Sequence, residues 1–290
     1  MNRTSSRLAA AFFLAALSTA AAADEPFKLH LRSRREADGR VEVVERVAEW
    51  EPRKTAIIVC DMWDRHWCRS AERRVGQMAG ALDATLKAAR ARGALVIHAP
   101  STCTAAYEGT PQRDRARKAP HAPTPRPLAT SPRWGTAWFW TDASREGVLP
   151  IDDSDGGCDC AEPCEIGAPW TRQTDAIAIG PDDAITDDGQ ETWNLLAERG
   201  IEHVVLCGVH LNMCVLGRPF AIRQLVSLGK DVALMRDMTD TMYNPARPPG
   251  GDHFAGTERV VEHVERYWCP SFLSTDLTGA PAFRFPGAPR

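Results

Sequence analysis

Unbroken runs of apolar residues divide the chain and predict the strands of a buried sheet. Runs of this length without alternation are typical of strands covered on both faces. The candidate strands are residues 54–63, 94–99, 175–179, 203–208 and 231–235. Between them, apolar residues recur at helical spacing and predict helices. The candidate helices are residues 71–92, 187–199, 214–228 and 256–267.

Strands that alternate with helices at this spacing favour right-handed crossovers between parallel strands. The pattern therefore predicts an α/β fold, a three-layer α/β/α arrangement with a doubly wound, mainly parallel sheet. Residues 27–50 differ, since charged and apolar residues alternate there through Val41, Val43 and Val47. They predict one or two edge strands, or an arm ahead of the core.

Residues 101–174 show little periodicity and predict an insertion. The segment is rich in Pro, Arg, Trp and Asp, and long loops of this kind inside compact domains are often functional. It holds the aromatic residues Trp134, Trp138, Phe139, Trp140 and Trp170. These are too many for a solvated loop, so we expect part of the insertion to cover the site and to help select the substrate.

The amino terminus has the pattern of a secretory signal. Arg3 and Arg7 precede an apolar run at residues 8–17, and small residues continue to Ala23. The run is too short for a membrane span and predicts cleavage near Ala23, with an uncleaved anchor as the alternative. We expect a signal peptide at 1–23, an arm at 24–53 and one domain at 54–290, secreted or periplasmic.

Composition narrows the choice of partners. The formal charge of −3 and the lack of a basic stripe indicate no nucleic-acid partner. No segment beyond the signal is apolar enough for a bilayer, so no membrane contact is expected after cleavage. A small-molecule substrate is the expected partner, and no cofactor is predicted.

Nine cysteines are many for an α/β protein. Cys158, Cys160 and Cys164 cluster in a Gly- and Asp-rich loop, whereas Cys60, Cys207 and Cys214 lie in or beside apolar runs. The cluster has no second pair at zinc-ligand spacing, so no metal is assigned. Given the export signal, a disulfide staple is favoured over a zinc site, with its pairing open.

Chemistry is expected where parallel strands end, because ligands of such sheets lie beyond their carboxyl ends. Asp61 ends the first core strand, and Cys214 follows the run at 203–208 where the next helix is predicted. A thiol at that junction is activated by the helix dipole, although a buried structural cysteine is equally compatible. Trp63, His66 and His98 are tentative pocket residues, with a structural role as the alternative for His98.

The two segments Ile57-Ile58-Val59-Cys60-Asp61-Met62 and Val204-Val205-Leu206-Cys207-Gly208-Val209-xxxx-Cys214-Val215 resemble those of the isochorismatase-like cysteine hydrolases, which include nicotinamidases. The resemblance covers about residues 54–112 and 174–268. It implies that Cys214 attacks a carbonyl and that Asp61 takes the thiol proton and returns it to the leaving group. It also implies a cis peptide before His210, oxyanion donors at the backbone N–H groups of His210 and Cys214, and a homo-oligomer.

The lysine of the family's triad has no counterpart here. The matching region reads Ile179-Gly180-Pro181-Asp182-Asp183-Ala184. Candidate substitutes are Lys118, Arg172, His66 and His210.

Three functions stay open from the sequence. The first is a secreted cysteine hydrolase that cleaves a C–N bond of a small amide-like substrate through a thioester. The second is a catalytically impaired member of the same fold that binds a ligand or partner. The third is a zinc hydrolase using His66, His98 and Asp64, which lacks recognisable ligand spacing.

Overall fold

A central sheet of eight strands organises the protein, seen in a computed structural model that describes residues 25–140 and 143–289. The sheet strands are β1 (Phe27–Ala37), β2 (Arg40–Trp50), β3 (Thr55–Cys60), β4 (Leu95–Ala99), β7 (Ala184–Ile185), β8 (His203–Val209), β9 (Asp231–Asp240) and β10 (Ser271–Phe272). A separate small hairpin consists of β5 (Ser131–Arg133) and β6 (Thr136–Trp138). The helices are α1 (Arg69–Ala91), α2 (Pro111–Lys118), α3 (Ala143–Glu146), α4 (Gly189–Glu198), α5 (Ile222–Ser227), α6 (His253–Tyr267) and α7 (Thr275–Thr278).

The strand order across the sheet is β2-β1-β10-β9-β8-β3-β4-β7. From β10 to β7 every neighbouring pair is parallel. The amino-terminal strand β1 pairs antiparallel with β10 and with β2, which lies at the edge. The mainly parallel α/β sheet predicted from the sequence is confirmed, and residues 27–50 form a hairpin that extends it.

Alternate residues of β3 pack into two different cores, which accounts for the three layers. Ile57 and Val59 belong to one core with Met78 and Leu82 of α1. Ile58 belongs to the other core, which also contains Leu195 of α4, Leu225 of α5 and Val264 of α6. Because the side chains of a strand point to opposite faces in turn, an unbroken apolar run covers both faces of the sheet.

Two predicted elements differ from the structure. Residues 175–179 form a turn in which Ile177 N–H bonds to Thr174 O, and the sheet continues instead at β7. The helix predicted from Cys214 onward is broken: a π-helical turn covers Leu211–Val215 and α5 begins only at Ile222. Pro219 lies between them, and proline lacks the N–H that a continuous helix needs.

The predicted insertion contains α2, the β5–β6 hairpin and α3, joined by irregular segments. The predicted signal peptide at 1–23 lies outside the described residues. Among the residues that are described, no helix has the length and apolar character needed to cross a membrane.

Candidate active site

Asp61 and Cys214 follow two neighbouring strands and meet at the same edge of the sheet. Strands β3 and β8 are parallel partners, with Cys60 opposite Gly208. A Cβ at Gly208 would lie 2.0 Å from Cys60 O, and its φ is 96°, so only glycine fits this crossing. The close approach brings the start of the turn that carries Cys214 beside the end of β3.

Asp61 is fully buried, and its two carboxylate oxygens differ in their hydrogen bonding. Its Oδ1 accepts a 2.6 Å hydrogen bond from the N–H of Ser101. Within the described residues its Oδ2 has no hydrogen-bond partner and lies 4.0 Å from Nε of Arg218. The backbone at Asp61 has φ of 48°, a strained value for a residue other than glycine. Buried, unpaired and strained acids are concentrated at functional sites.

The surroundings shift the protonation of this pair in opposite directions. Burial raises the pKa of Asp61 well above its ordinary value, and a negative charge on Cys214 raises it further. Burial alone would also raise the pKa of Cys214, but polar contact with Cys60, the charge of Arg218 and polar contact with Asp61 outweigh it and lower that pKa to about 6. These shifts favour the thiolate form of Cys214 and the neutral form of Asp61.

Arg218 supplies a positive charge beside Cys214, where the sequence has no counterpart of the triad lysine. Its side chain is 8 % exposed, its Nη1 donates a 2.8 Å hydrogen bond to Thr136 Oγ1, and its guanidinium lies over the ring of Trp138 at 4.2 Å. The hairpin β5–β6 thus orients it from the insertion. Sequence reasoning missed this residue, although an arginine four positions after Cys214 would lie one helical turn away.

None of the four substitutes proposed for the lysine provides this charge. Lys118 pairs with Asp114 on an exposed helix face, and Arg172 pairs with Asp175. Burial lowers the pKa of His66 to about 4 and that of His210 well below its ordinary value. Both histidines are therefore neutral near pH 7. They line the site without polarising the thiol by charge.

A cavity of about 670 Å³ opens onto Cys214 and Arg218. Trp63 and His66 line it, as the sequence analysis expected of pocket residues, together with His210. Its walls hold six tryptophans, Trp63, Trp67, Trp134, Trp138, Trp140 and Trp170. Trp63 and Trp170 stack with ring centroids 4.1 Å apart. Four of the six come from residues 101–174, so the insertion forms much of the cavity wall.

His98 does not line this cavity, which corrects its tentative placement there. Its ring is fully buried between Gln173 Oε1 at 2.8 Å and Asp183 Oδ2 at 2.9 Å, so it holds loop segments together. Asp64 accepts hydrogen bonds from Thr171 and Arg172. The zinc hydrolase hypothesis is therefore wrong in its ligand set, because His66, His98 and Asp64 form no ligand group within the described residues.

The turn between β8 and the π-helical segment has the backbone geometry that the resemblance implied. The peptide bond between Val209 and His210 is cis. The N–H groups at the start of a helical turn have no partners earlier in that turn, so His210 and Cys214 stay the expected oxyanion donors. The turn spans only Leu211–Val215, and the charge of Arg218 is one of the contacts that lower the pKa of Cys214.

Comparison with known proteins finds likeness only at the level of solved structures. No protein-family model matches the chain, and a search of curated proteins finds no match. A cysteine hydrolase from Pseudomonas syringae pv. phaseolicola is 16% identical, with 79% of this chain and 92% of that chain covered and a TM-score of 0.46. An isochorismatase from Pseudomonas putida is 10% identical, covering 77% and 90%, with a TM-score of 0.45.

An isochorismatase-family protein from Burkholderia thailandensis is 14% identical, with 79% of this chain and 97% of that chain covered and a TM-score of 0.41. Similarity this remote is similarity of the backbone fold alone. It says nothing about which reaction this chain performs, so its function has to be argued from its own site.

Proposed function

We propose that this protein is a cysteine hydrolase that cleaves the C–N bond of a small amide-like substrate. The observation that carries the proposal is the cluster of Cys214, Asp61 and Arg218, of which Cys214 and Arg218 line an open cavity and Asp61 is buried beside them. A nucleophile, a proton carrier and a fixed positive charge are the components that covalent acyl transfer requires.

In the proposed reaction the Cys214 sulfur attacks the carbonyl carbon, and the carbonyl π electrons move onto oxygen. Asp61, holding the proton that the thiol has lost, gives it to the nitrogen as the C–N bond breaks. The amine leaves and a thioester remains. Asp61 then takes a proton from water, whose oxygen attacks the thioester and releases a carboxylic acid and the Cys214 thiolate, which restores the starting pair. Arg218 stabilises the negative charge shared by sulfur and carboxylate throughout.

The cavity wall indicates the type of acyl group. Tryptophan faces favour flat, apolar groups, and aromatic stacking contributes about 0.5–1.5 kcal/mol beyond burial. Amides with an aromatic or flat heterocyclic acyl group are therefore the first substrates to test. The wall also supports the alternative of a ligand-binding protein, since a stacking pocket binds flat ligands with or without chemistry.

The test has two parts, and the first does not need a substrate. The rate of Cys214 alkylation by iodoacetamide, followed by peptide mass spectrometry, should rise with pH around a midpoint near 6, where the pKa of this thiol lies. Cys103 is the internal control, since burial raises its pKa to about 12. A Cys214 midpoint close to that of a free thiol would contradict the proposed activation.

The second part is a screen of aromatic and aliphatic amides with wild type, Cys214→Ser and Cys103→Ser. Turnover by wild type and Cys103→Ser, and not by Cys214→Ser, is the expected result. Binding of the amides without turnover by any of the three would favour the ligand-binding alternative.

We also propose that the protein acts after export, from the charged, apolar and small-residue segments at residues 1–23. Expression of the full chain in a bacterial host followed by cell fractionation tests it. A secreted or periplasmic product that begins near Asp24 is expected. A cytoplasmic product that retains Met1 would contradict export.

A further inference from the structure

A second group of sulfurs lies beside the cavity, away from Cys214. Three of its members come from the insertion and the fourth, Cys68, directly precedes α1. The Sγ atoms of Cys68, Cys158 and Cys160 lie within 4.8 Å of one another. Cys164 lies outside this group of three but interacts with both Cys158 and Cys160. Met242 packs against the group and also lines the cavity.

The spacing of these sulfurs matches metal ligands better than a disulfide. The Sγ atoms of Cys68 and Cys160 are 3.9 Å apart. Sulfurs placed tetrahedrally about 2.3 Å from one zinc ion are about 3.8 Å from each other, whereas bonded sulfurs are about 2.05 Å apart. All nine cysteines of the chain are free thiols in this structure, so the disulfide favoured by the sequence is not present.

The first turn of α1 directs its donors at these sulfurs. The N–H of Ser70 is 3.3 Å from Cys160 Sγ, and the Ser70 hydroxyl is 3.2 Å from the same atom. The N–H groups of Ala71 and Arg69 favour the charged forms of Cys68 and Cys164. Donors of this kind stabilise negative sulfur and orient it as a metal ligand. Several adjacent thiolates repel one another unless a cation lies between them.

The loop that carries Cys158 and Cys160 is held on both sides without any metal. Asp159, between the two cysteines, pairs with Arg74 of α1 at 2.7 Å, and Arg74 also donates to Asp240 of β9 at 2.6 Å. Gly157 lies so close to the backbone that an added Cβ would be 2.3 Å from the carbonyl carbon of Met242. The sulfurs are therefore brought to one point by packing and ion pairs.

We infer that Cys68, Cys158, Cys160 and Cys164 bind one zinc ion as a structural site. Four sulfur ligands complete the tetrahedral coordination, so no position is open for a substrate or water. Each thiol that binds loses its proton to solvent. The site would join the start of α1 to the insertion and would fix the cavity wall that includes Trp67 and Gly156. Bound metal would also protect these thiols from oxidation after export.

Metal analysis of the purified full-length protein tests the assignment. We expect about one zinc per chain in wild type and in Cys103→Ser, a matched thiol outside the group. Cys68→Ser and Cys160→Ser should each lower zinc occupancy at least about tenfold, because a ligand is lost. X-ray absorption should show four sulfurs at about 2.3 Å from zinc.

A second measurement uses wild type only, in case a variant fails to fold. Titration with a mercurial reagent should release zinc in step with modification of these four cysteines, mapped by mass spectrometry. Wild type without zinc after purification in zinc-containing buffer would overturn the inference. So would a disulfide between any two of the four cysteines, or iron at this site in place of zinc.

Discussion

Cys214 and the separate group of Cys68, Cys158, Cys160 and Cys164 lie beside the same cavity, and their neighbouring side chains give them different chemistry. Cys214 has the single thiol of Cys60, a buried acid and a guanidinium close to it. Cys160 instead has other sulfurs and the amide and hydroxyl of Ser70. One thiol next to a proton carrier suits nucleophilic attack, whereas several thiols around one point suit a metal. Under the two proposals, the side chains around each thiol, more than its burial, distinguish the two sites.

The largest expected effect is the loss of the nucleophile itself. Cys214→Ala should lower kcat/KM for the amide identified in the screen at least about a thousandfold, because no other group can form the thioester. Cys160→Ser should keep kcat within about threefold, since its sulfur takes no part in the reaction. Steady-state kinetics of both variants checks the contrast. Equal losses in the two variants would remove the functional distinction between the groups.

Removal of the proton carrier is expected to have the next largest effect. Asp61→Asn keeps the shape of the side chain but cannot hold the transferred proton, so kcat should fall by about 10²–10⁴-fold. Circular dichroism and a thermal melt serve as controls, because Asp61 is buried. Full activity with a wild-type pH profile would exclude Asp61 as the acid and base.

Arg218 distinguishes the two sites, because the main contacts of the Cys160 sulfur among the described residues are Ser70 and other cysteines. In Arg218→Met the favourable charge is lost, so the pKa of Cys214 should rise from about 6 and the alkylation midpoint should move upward. At pH 7 alkylation should slow, by about tenfold for each further unit once the pKa of Cys214 exceeds 7. At high pH the two rates should converge.

Arg218→Lys is the matched control for charge. It keeps the positive charge but loses the planar contact with Trp138, so partial recovery of the low midpoint is expected. An unchanged midpoint in Arg218→Met would show that the other contacts of Cys214 lower its pKa without the cation.

The smallest expected effect concerns the proposed zinc site at Cys68, Cys158, Cys160 and Cys164. Stripping zinc from the wild type with a mercurial reagent, followed by removal of the reagent with thiol, should raise KM a few-fold and leave kcat nearly unchanged, because it loosens the wall that carries Trp67. Re-addition of zinc should restore KM. A loss confined to kcat would contradict a purely structural role.

The sequence predicted the fold well and the site in part. The unbroken apolar runs ending at Asp61 and near Gly208 indicated adjacent buried strands, and the structure pairs them. Runs such as residues 175–179 were misleading, because apolar residues in a turn can pack into the core as Ile177 does. A local run of apolar residues indicates that a segment is buried, but a buried segment need not be a strand.

What the amino-acid sequence determined by itself was the succession of strands and helices and the residue types at the strand ends, since these follow from local periodicity. The tertiary structure alone decided that Arg218 lies beside Asp61 and that Cys68 meets Cys158 and Cys160. Both sets of contacts depend on how the insertion packs against the sheet and the start of α1. The insertion has little periodicity of its own. Contacts between residues distant in sequence are set by packing and ion pairs that no local pattern encodes.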